Sequence, residues 1–232
     1  MIAQIAEAWK GVTDGLAQIL IFFHGFLGDY GLAIILLTVL VRLALLPLTI
    51  KQTRSMQDMQ RVQPMLKKLQ EKYKDDKQKL QEEMMKFYQE HKVNPLGGCL
   101  PMLLQLPIMF ALFSTLNDPK LLQQQPFLFF VPNLSARAGQ FGLPPTDWLS
   151  ALPYIVLVIL MVVTTYLPQK MLAADAQQNK MMVFMSLFMA YIAWQLPAGV
   201  ILYWVTTNIW TMGQQYIMIK AQGPSAPASK GA

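Results

Sequence analysis

The stretch Leu32–Ile50, LAIILLTVLVRLALLPLTI, decides the fold of this chain. Arg42 is the only charged residue among its 19 residues. A helix rises about 1.5 Å per residue, so the stretch spans roughly 28 Å, close to the thickness of a bilayer's hydrocarbon core. The stretch therefore predicts a transmembrane helix over residues 31–50, with Arg42 near the middle of the membrane.

A charge at that depth costs on the order of 2.5–3.5 kcal/mol on insertion scales, so Arg42 needs a specific environment. The five apolar spans of the chain contain no Asp and no Glu. We therefore predict that Arg42 faces water, polar side chains or a partner from outside the chain. The alternative is an arginine that extends its stem to the membrane surface.

The composition agrees with a polytopic membrane protein, because 54% of the 232 residues are hydrophobic and only 14% are charged. Four further spans are predicted, over residues 94–117, 151–168, 181–196 and 200–220. One cysteine excludes an internal disulfide, and the two separated histidines give no metal-ligand pattern. No catalytic motif is present. We expect neither an enzyme nor a cofactor.

Basic residues are distributed very unequally between the segments that connect the spans. Fifteen of the 19 Lys and Arg residues lie in or beside the segments 51–93, 169–180 and 221–232. Only three lie in the segments 1–30, 118–150 and 197–199. The positive-inside rule then predicts an all-α protein with five transmembrane helices, its N-terminus outside and its C-terminus in the cytoplasm.

Two amphipathic segments lie outside the spans. Residues 1–30 predict an interfacial helix on the outer side, with an uncleaved signal sequence as the alternative. Residues 51–93 predict a cytoplasmic helical hairpin, with a helix break at Pro64, a turn over Lys74–Lys77 and Asp75 as a helix cap. Its apolar residues predict a contact surface for a partner, with a solvated spacer as the alternative. They are Met56, Met59, Met65, Leu69, Tyr73, Met84 and Phe87.

Polar residues inside the spans suggest a hydrophilic groove around Arg42, because buried polar groups need partners or water. Thr38 lies one helical turn before Arg42. A stripe at intervals of four, three and four residues shares one face of the last span. It consists of Trp204, Asn208, Thr211 and Gln215. Gln105, Thr164, Thr165 and Gln195 complete the predicted lining. The alternative is ordinary hydrogen bonding between helices.

Three motifs resemble the YidC/Oxa/Alb family of membrane protein insertases. They are NPLGGCLPMLLQLPI at Asn94–Ile108, LTVLVRLALLPLT at Leu37–Thr49 and LPAGVILYWVTTNIWTMGQQ at Leu196–Gln215. The resemblance implies a five-helix core in the bacterial plasma membrane, with a groove open to cytoplasm and lipid but closed outward. By position, Arg42 matches the family's groove arginine, Thr38 its polar neighbour and Trp204 the second aromatic of a pair.

The function that the resemblance implies is insertion of membrane proteins. Substrates with short, acidic outer tails would enter the groove from the cytoplasm and leave sideways into the bilayer, without or with the Sec translocon. The signal recognition particle pathway and the ribosome are further candidate partners, and no direct contact with nucleic acid is expected. The alternative is a small-anion transporter or channel subunit that uses Arg42 as its binding site. A structural scaffold is a third hypothesis.

Overall fold

The computed structural model describes residues 2–93, 100–116, 122, 124–142, 144–172 and 176–222. These residues form α-helices and one short 3₁₀-helix, Ala138–Phe141. They contain no β-strand, only two isolated bridges, Phe127 with Val131 and Arg137 with Pro197. The α-helices are α1 (Ile2–Leu27), α2 (Tyr30–Ala44), α3 (Leu46–Lys72), α4 (Lys77–Glu90), α5 (Leu100–Leu116), α6 (Trp148–Leu172), α7 (Ala176–Gln195) and α8 (Ala198–Gln222).

The chain forms two compact units. The first comprises Met1–Ala44 with Leu106–Gln214, and the second comprises Leu45–Gln105 with Gln215–Ala232. In the first unit α1 packs against α2, and α6 against α7. In the second unit α3 packs against α4.

The predicted span over residues 31–50 divides at Leu45, which is a turn residue between α2 and α3. Pro47 lies in the first turn of α3. Proline lacks an amide N–H and is tolerated at the start of a helix but not in its interior, so it favours a new helix here.

The predicted helix break at Pro64 is wrong, because α3 continues through Pro64 to Lys72. Pro64 is exposed. Water can therefore satisfy the backbone carbonyl that loses its partner one turn earlier.

The predicted cap of the hairpin's second helix is also corrected. The turn ends at Asp76, whose carboxylate accepts a hydrogen bond of 3.0 Å from the Lys79 N–H. Asp76 therefore caps α4, and not Asp75. Both are acidic residues at the same turn, and the backbone of Asp76, with φ −125° and ψ 90°, has the non-helical conformation that a cap requires.

The core of the first unit consists of two clusters of buried residues, and α8 contributes to both. The first cluster joins α1, α2, α5 and α8 to the segment after α5. It includes Leu20, Ile34, Leu116, Leu122, Leu134 and Tyr203. The second joins α6, α7 and α8 to that same connecting segment. It includes Val131, Tyr154, Met161, Ala193 and Ile201. Helix α8 and the connecting segment after α5 are thus shared by both halves of the core.

Helix α1 has one buried and one exposed face. Leu20 is fully buried in the first cluster, whereas Phe22 and Phe26 are exposed. Residues 1–30, predicted to form an interfacial helix, therefore contain a helix that contributes to the core of the first unit.

The segment 124–142 is held to the ends of several helices by backbone hydrogen bonds. The amides of Ala198 and Gly199 at the start of α8 donate to the carbonyls of Ala136 and Leu134, both at 2.9 Å. The Asp29 carboxylate accepts from Leu32 N–H at 3.0 Å and from Leu128 N–H at 2.6 Å. One end of the first unit is therefore covered by this segment.

Within the described residues, one helical segment is long and apolar enough to cross a membrane without help, Trp148–Pro168 of α6. At 21 residues it spans about 31 Å, more than the predicted 151–168. Glu7–Leu27 and Tyr30–Ala44 meet the same criterion only as a pair, and they are bent by 120°. Leu106–Leu116 and Val183–Gln195 are shorter apolar helices. The topology with five transmembrane helices therefore remains a prediction.

Candidate functional site

Arg42 lies in the last turn of α2, twelve residues and about 18 Å from the helix start at Tyr30. Its side chain is half-buried and lies near Tyr203 of α8. The carbonyl end of a helix carries a partial negative charge, which favours a cation. The end of α2 therefore stabilises the charge that the sequence places inside an apolar segment.

Thr38 lies one turn before Arg42 on the same face of α2 and is buried, with 2% of its surface exposed. Its hydroxyl donates to the Ile34 carbonyl at 2.7 Å. The proton of this hydroxyl is therefore satisfied within α2, and only the lone pairs of its oxygen are available to another group.

Three predicted groove residues are brought together between α6 and α8. The Asn208 amide donates to the hydroxyl oxygens of Thr165 at 2.9 Å and Thr164 at 3.3 Å. Trp204, one turn earlier on α8, packs against the second core cluster. The predicted stripe of α8 therefore begins against α6, and the hydrogen bonds of Asn208 join the two helices.

The α8 residue near Arg42 is Tyr203, which lies on a neighbouring face of that helix. Tyr203 belongs to the first core cluster, together with Ile34 and Leu37 of α2. Thr207, one turn later on the same face, is buried at 7% exposure. Its hydroxyl has no hydrogen-bond partner among the described residues. Sequence reasoning missed both residues, although their spacing of four was available as a signal.

The other predicted groove residues are more scattered. Thr211 is half-buried and donates to the Thr207 carbonyl at 2.8 Å, and Gln195 is exposed at the end of α7. Gln215 is buried and belongs to the second unit. The side chain of Gln105 lies outside the described part of the structure. The structure thus groups Thr164, Thr165 and Asn208, and it does not bring Gln195 into that group.

The predicted contact surface of the hairpin is partly buried at every position. Its residues are Met56, Met59, Met65, Leu69, Tyr73, Met84 and Phe87. A cavity of about 280 Å³ runs along α4, lined by Lys77, Leu80, Gln81, Met84, Met85 and Tyr88. Met84 is the residue that this cavity shares with the predicted surface, so most of the cavity was not anticipated.

The family model described as 60Kd inner membrane protein matches residues 22–225. Membrane protein insertase YidC of Caldanaerobacter subterraneus subsp. tengcongensis is 44% identical over 205 residues, which cover 88% of this chain and 92% of that protein. Membrane protein insertase YidC of Pelobacter propionicus is 40% identical over 213 residues, which cover 90% of this chain but only 38% of that protein.

A solved structure titled "Active YidC insertase crystal structure with the first transmembrane domain resolved" is similar to this fold, with a TM-score of 0.71 and 28% sequence identity. The match covers 90% of this chain and 46% of that chain. These likenesses confirm the resemblance carried by the three sequence motifs. The chain therefore belongs to the 60Kd inner membrane protein family, a family of multi-pass bacterial inner-membrane proteins that includes the membrane protein insertases named YidC.

Proposed function

We propose that this protein inserts short-tailed transmembrane substrates into the bacterial inner membrane through a hydrophilic groove that contains Arg42. The observation that carries the proposal is the position of that residue. In a chain 44% identical to a membrane protein insertase, a half-buried guanidinium lies in the last turn of α2, near Tyr203 of α8. An ionisable residue inside a membrane protein usually marks a functional site.

The proposed topology has five spans, with the N-terminus outside and the C-terminus in the cytoplasm. Its support is the strong excess of Lys and Arg in the segments 51–93, 169–180 and 221–232. In this orientation the segment 124–142 covers the outer end of the first unit. The groove would then open toward the cytoplasm and the lipid.

The proposed groove lining combines the predicted residues with two that the structure adds. Arg42 and Thr38 supply the wall on α2, and Tyr203 and Thr207 supply the facing wall on α8. The buried Thr207 hydroxyl supports this assignment, because an unsatisfied buried hydroxyl is costly unless water or a ligand reaches it. Gln195 and Thr211 stay in the proposed lining on the strength of the sequence. Gln105 and Gln215, which belong to the second unit, remain predictions from the sequence alone. Asn208, with Thr164 and Thr165, would hold α6 against α8 and so support the wall.

The proposed mechanism is electrostatic capture followed by partition. Arg42 attracts the acidic outer tail of a substrate into the groove, and the apolar substrate helix then moves sideways into lipid. The membrane potential contributes about 2.3 kcal/mol for each acidic charge moved across 100 mV. No covalent step is involved, so the scheme requires no cofactor.

The test is insertion into proteoliposomes of a single-span substrate with an acidic outer tail. Arg42→Ala should reduce insertion severalfold, and Arg42→Lys should keep most of it, because the charge is retained. The matched protein control is Arg54→Ala, which removes an exposed arginine of α3. The matched substrate control has its acidic residues replaced by Asn and Gln, and its insertion should depend little on Arg42.

Equal insertion of the acidic substrate by all of these proteins would contradict the role of Arg42. A parallel set of vesicles, loaded with small anions and lacking substrate, tests the alternative function. Anion release that disappears in Arg42→Ala would favour a transporter or channel over an insertase.

Partners of the hairpin form a separate part of the proposal. The partly buried methionines of α3 and α4 would contact a substrate or a targeting factor, since methionine adapts to varied apolar surfaces. The Sec translocon, the signal recognition particle pathway and the ribosome are the candidate partners. Crosslinking from Met84, with exposed Gln89 of the same helix as the matched position outside the cavity, would identify which of them touches the hairpin.

A further inference from the structure

A tight turn at one end of the first unit exposes three large apolar side chains in succession. The turn is closed by hydrogen bonds between Phe127 and Val131, at 2.8 Å and 3.2 Å. Its tip residues Leu128, Phe129 and Phe130 are 51%, 105% and 42% exposed. Loops that face water are rarely so apolar, and a contiguous exposed apolar patch marks an interaction surface.

The turn is fixed to the first residues of α2. The Asp29 carboxylate, which caps α2 through Leu32 N–H, also accepts from Leu128 N–H at 2.6 Å. The Phe127 ring lies directly against Gly31, where any side chain would overlap it. The turn therefore lies level with the start of α2.

The other side of the turn is fixed to α6. Val131 is fully buried in the cluster that contains Tyr154, and the Tyr154 hydroxyl donates to the Asn133 carbonyl at 3.2 Å. Tyr154 lies six residues after Trp148, which is about 9 Å along the helix. The base of the turn thus lies level with residues that are already inside the membrane-crossing segment Trp148–Pro168.

The surroundings of the turn match the boundary of a bilayer. Trp148 and Leu149, in the first turn of α6, are 62% and 83% exposed. Tryptophan at the end of a membrane-crossing helix favours the headgroup level. Between residues 124 and 142 the only charged residue is Arg137. Exposed apolar residues therefore occupy both the tip of the turn and the start of α6.

We propose that the turn Phe127–Val131 is a membrane anchor whose tip, Phe129, inserts into the lipid surface at which α2 and α6 begin. The tip contacts lipid at the boundary between the headgroups and the acyl chains. The anchor would hold the segment 124–142 down on the bilayer independently of substrate. This role is separate from the groove, because it requires no contribution from Arg42.

The experiment measures the depth of a nitroxide label in the full-length protein in nanodiscs of phosphatidylethanolamine and phosphatidylglycerol. Cys99→Ser removes the native thiol, and Phe129→Cys or Gln140→Cys introduces the labelled site. Gln140 is an exposed polar residue of the same segment and is the matched control. Power saturation compares collisions with oxygen, which concentrates in lipid, with collisions with a water-soluble nickel chelate. Size-exclusion chromatography checks that both variants are folded and monodisperse.

The label at position 129 should collide several times more often with oxygen than with the nickel chelate, and the label at 140 should show the reverse. Equal access of the nickel chelate to both positions would place Phe129 in water and overturn the proposal. Shielding of position 129 from both reagents would also overturn it, because a protein surface rather than lipid would then cover the turn.

Discussion

The side-chain amide of Asn208 on α8 donates to the Thr165 hydroxyl oxygen on α6 at 2.9 Å, and to that of Thr164 at 3.3 Å. The Thr164 hydroxyl in turn donates to the carbonyl of Leu160 at 2.7 Å. The two hydroxyl oxygens thus act as acceptors for one amide. These hydrogen bonds join α8 to the long apolar segment of α6.

Replacing Asn208 by Leu should destabilise the packing of α6 against α8. Hydrogen bonds between membrane helices average about 0.6 kcal/mol and reach about 1.7 kcal/mol. A double-mutant cycle with Thr165→Val, measured by equilibrium unfolding in mixed micelles, should therefore give a coupling free energy of about 0.6 kcal/mol or more.

The control for this cycle is Thr206→Val, since the Thr206 hydroxyl donates to the Leu202 carbonyl of its own helix at 2.8 Å. Its coupling to Asn208→Leu should be near zero. If the cycle with Thr165 also gave no coupling, the two helices would not depend on this hydrogen bond. Asn208 would then be better explained as a groove residue alone.

Gly31→Ala should loosen the segment 124–142, because the added methyl group would overlap the Phe127 ring. Gly25→Ala is the matched control, since a methyl group there meets nothing within 4 Å. That substitution should stabilise α1 by up to about 1 kcal/mol, the difference in helix propensity.

Hydrogen exchange of the amides of Leu128 and Val131 reports on the loop, and Phe127→Ala should restore part of the protection lost in Gly31→Ala. Unchanged exchange in Gly31→Ala would contradict this close contact.

Asp76→Ala should destabilise α4 by about 1 kcal/mol, because it removes the acceptor for the Lys79 N–H. Asp75→Ala removes an equal charge one residue earlier and should have a much smaller effect. Hydrogen exchange of residues 77–90 in the full-length protein distinguishes the two variants. An equal effect of both would mean that the charge, and not the cap, is what matters.

The ion pair between Glu82 and Lys86 in α4 should have a measurable effect on the pKa of Glu82. The hydrogen bond and charge of Lys86, whose ammonium lies 2.8 Å from the Glu82 carboxylate, lower the pKa of Glu82 below its ordinary value of 4.5. A lowered pKa means that the pair stabilises α4 above that ordinary value and that this contribution is lost as the pH falls through the lowered pKa. Lys86→Gln should therefore raise the pKa of Glu82, as measured by NMR of labelled carboxyl carbons.

Lys79→Gln is the control, because Lys79 contributes least to the lowered pKa of Glu82. It should raise that pKa much less than Lys86→Gln does. A Glu82 pKa that is the same in wild type and Lys86→Gln would show that the ion pair is not populated in solution. Because both side chains are exposed, the pair should have little influence on global stability.

The sequence is sufficient to predict structural features that depend on residues close together in the chain. The apolar run around Arg42, the charged segment after it and the three motifs were sufficient to predict a helical membrane protein and its family. The structure differs from prediction where two local signals compete. Asp75 and Asp76 are both acceptable caps, and Pro64 and Pro47 both disfavour a helix interior. Exposure allows Pro64 to stay inside α3, and this exposure is not visible in a local pattern.

The orientation of α8 could not be derived from its own residues. Periodicity shows that Trp204 and Asn208 share a face, and equally that Tyr203 and Thr207 share one. Which face meets α2 and which meets α6 is decided by packing with residues that are distant in sequence. The contact of Leu134 and Ala136 with the start of α8 is another such long-range relationship, and no spacing rule anticipates it.

Two threonines of the proposed groove lining, Thr38 on α2 and Thr211 on α8, have a consequence for the direction of hydrogen bonding. Thr38 and Thr211 each donate their hydroxyl proton to a carbonyl of their own helix, at 2.7 Å and 2.8 Å. Each oxygen then has only its lone pairs left to offer to another group. In the proposed groove, these two oxygens would accept hydrogen bonds from the amide N–H groups of a substrate. They would have no proton to donate to the substrate's carbonyls.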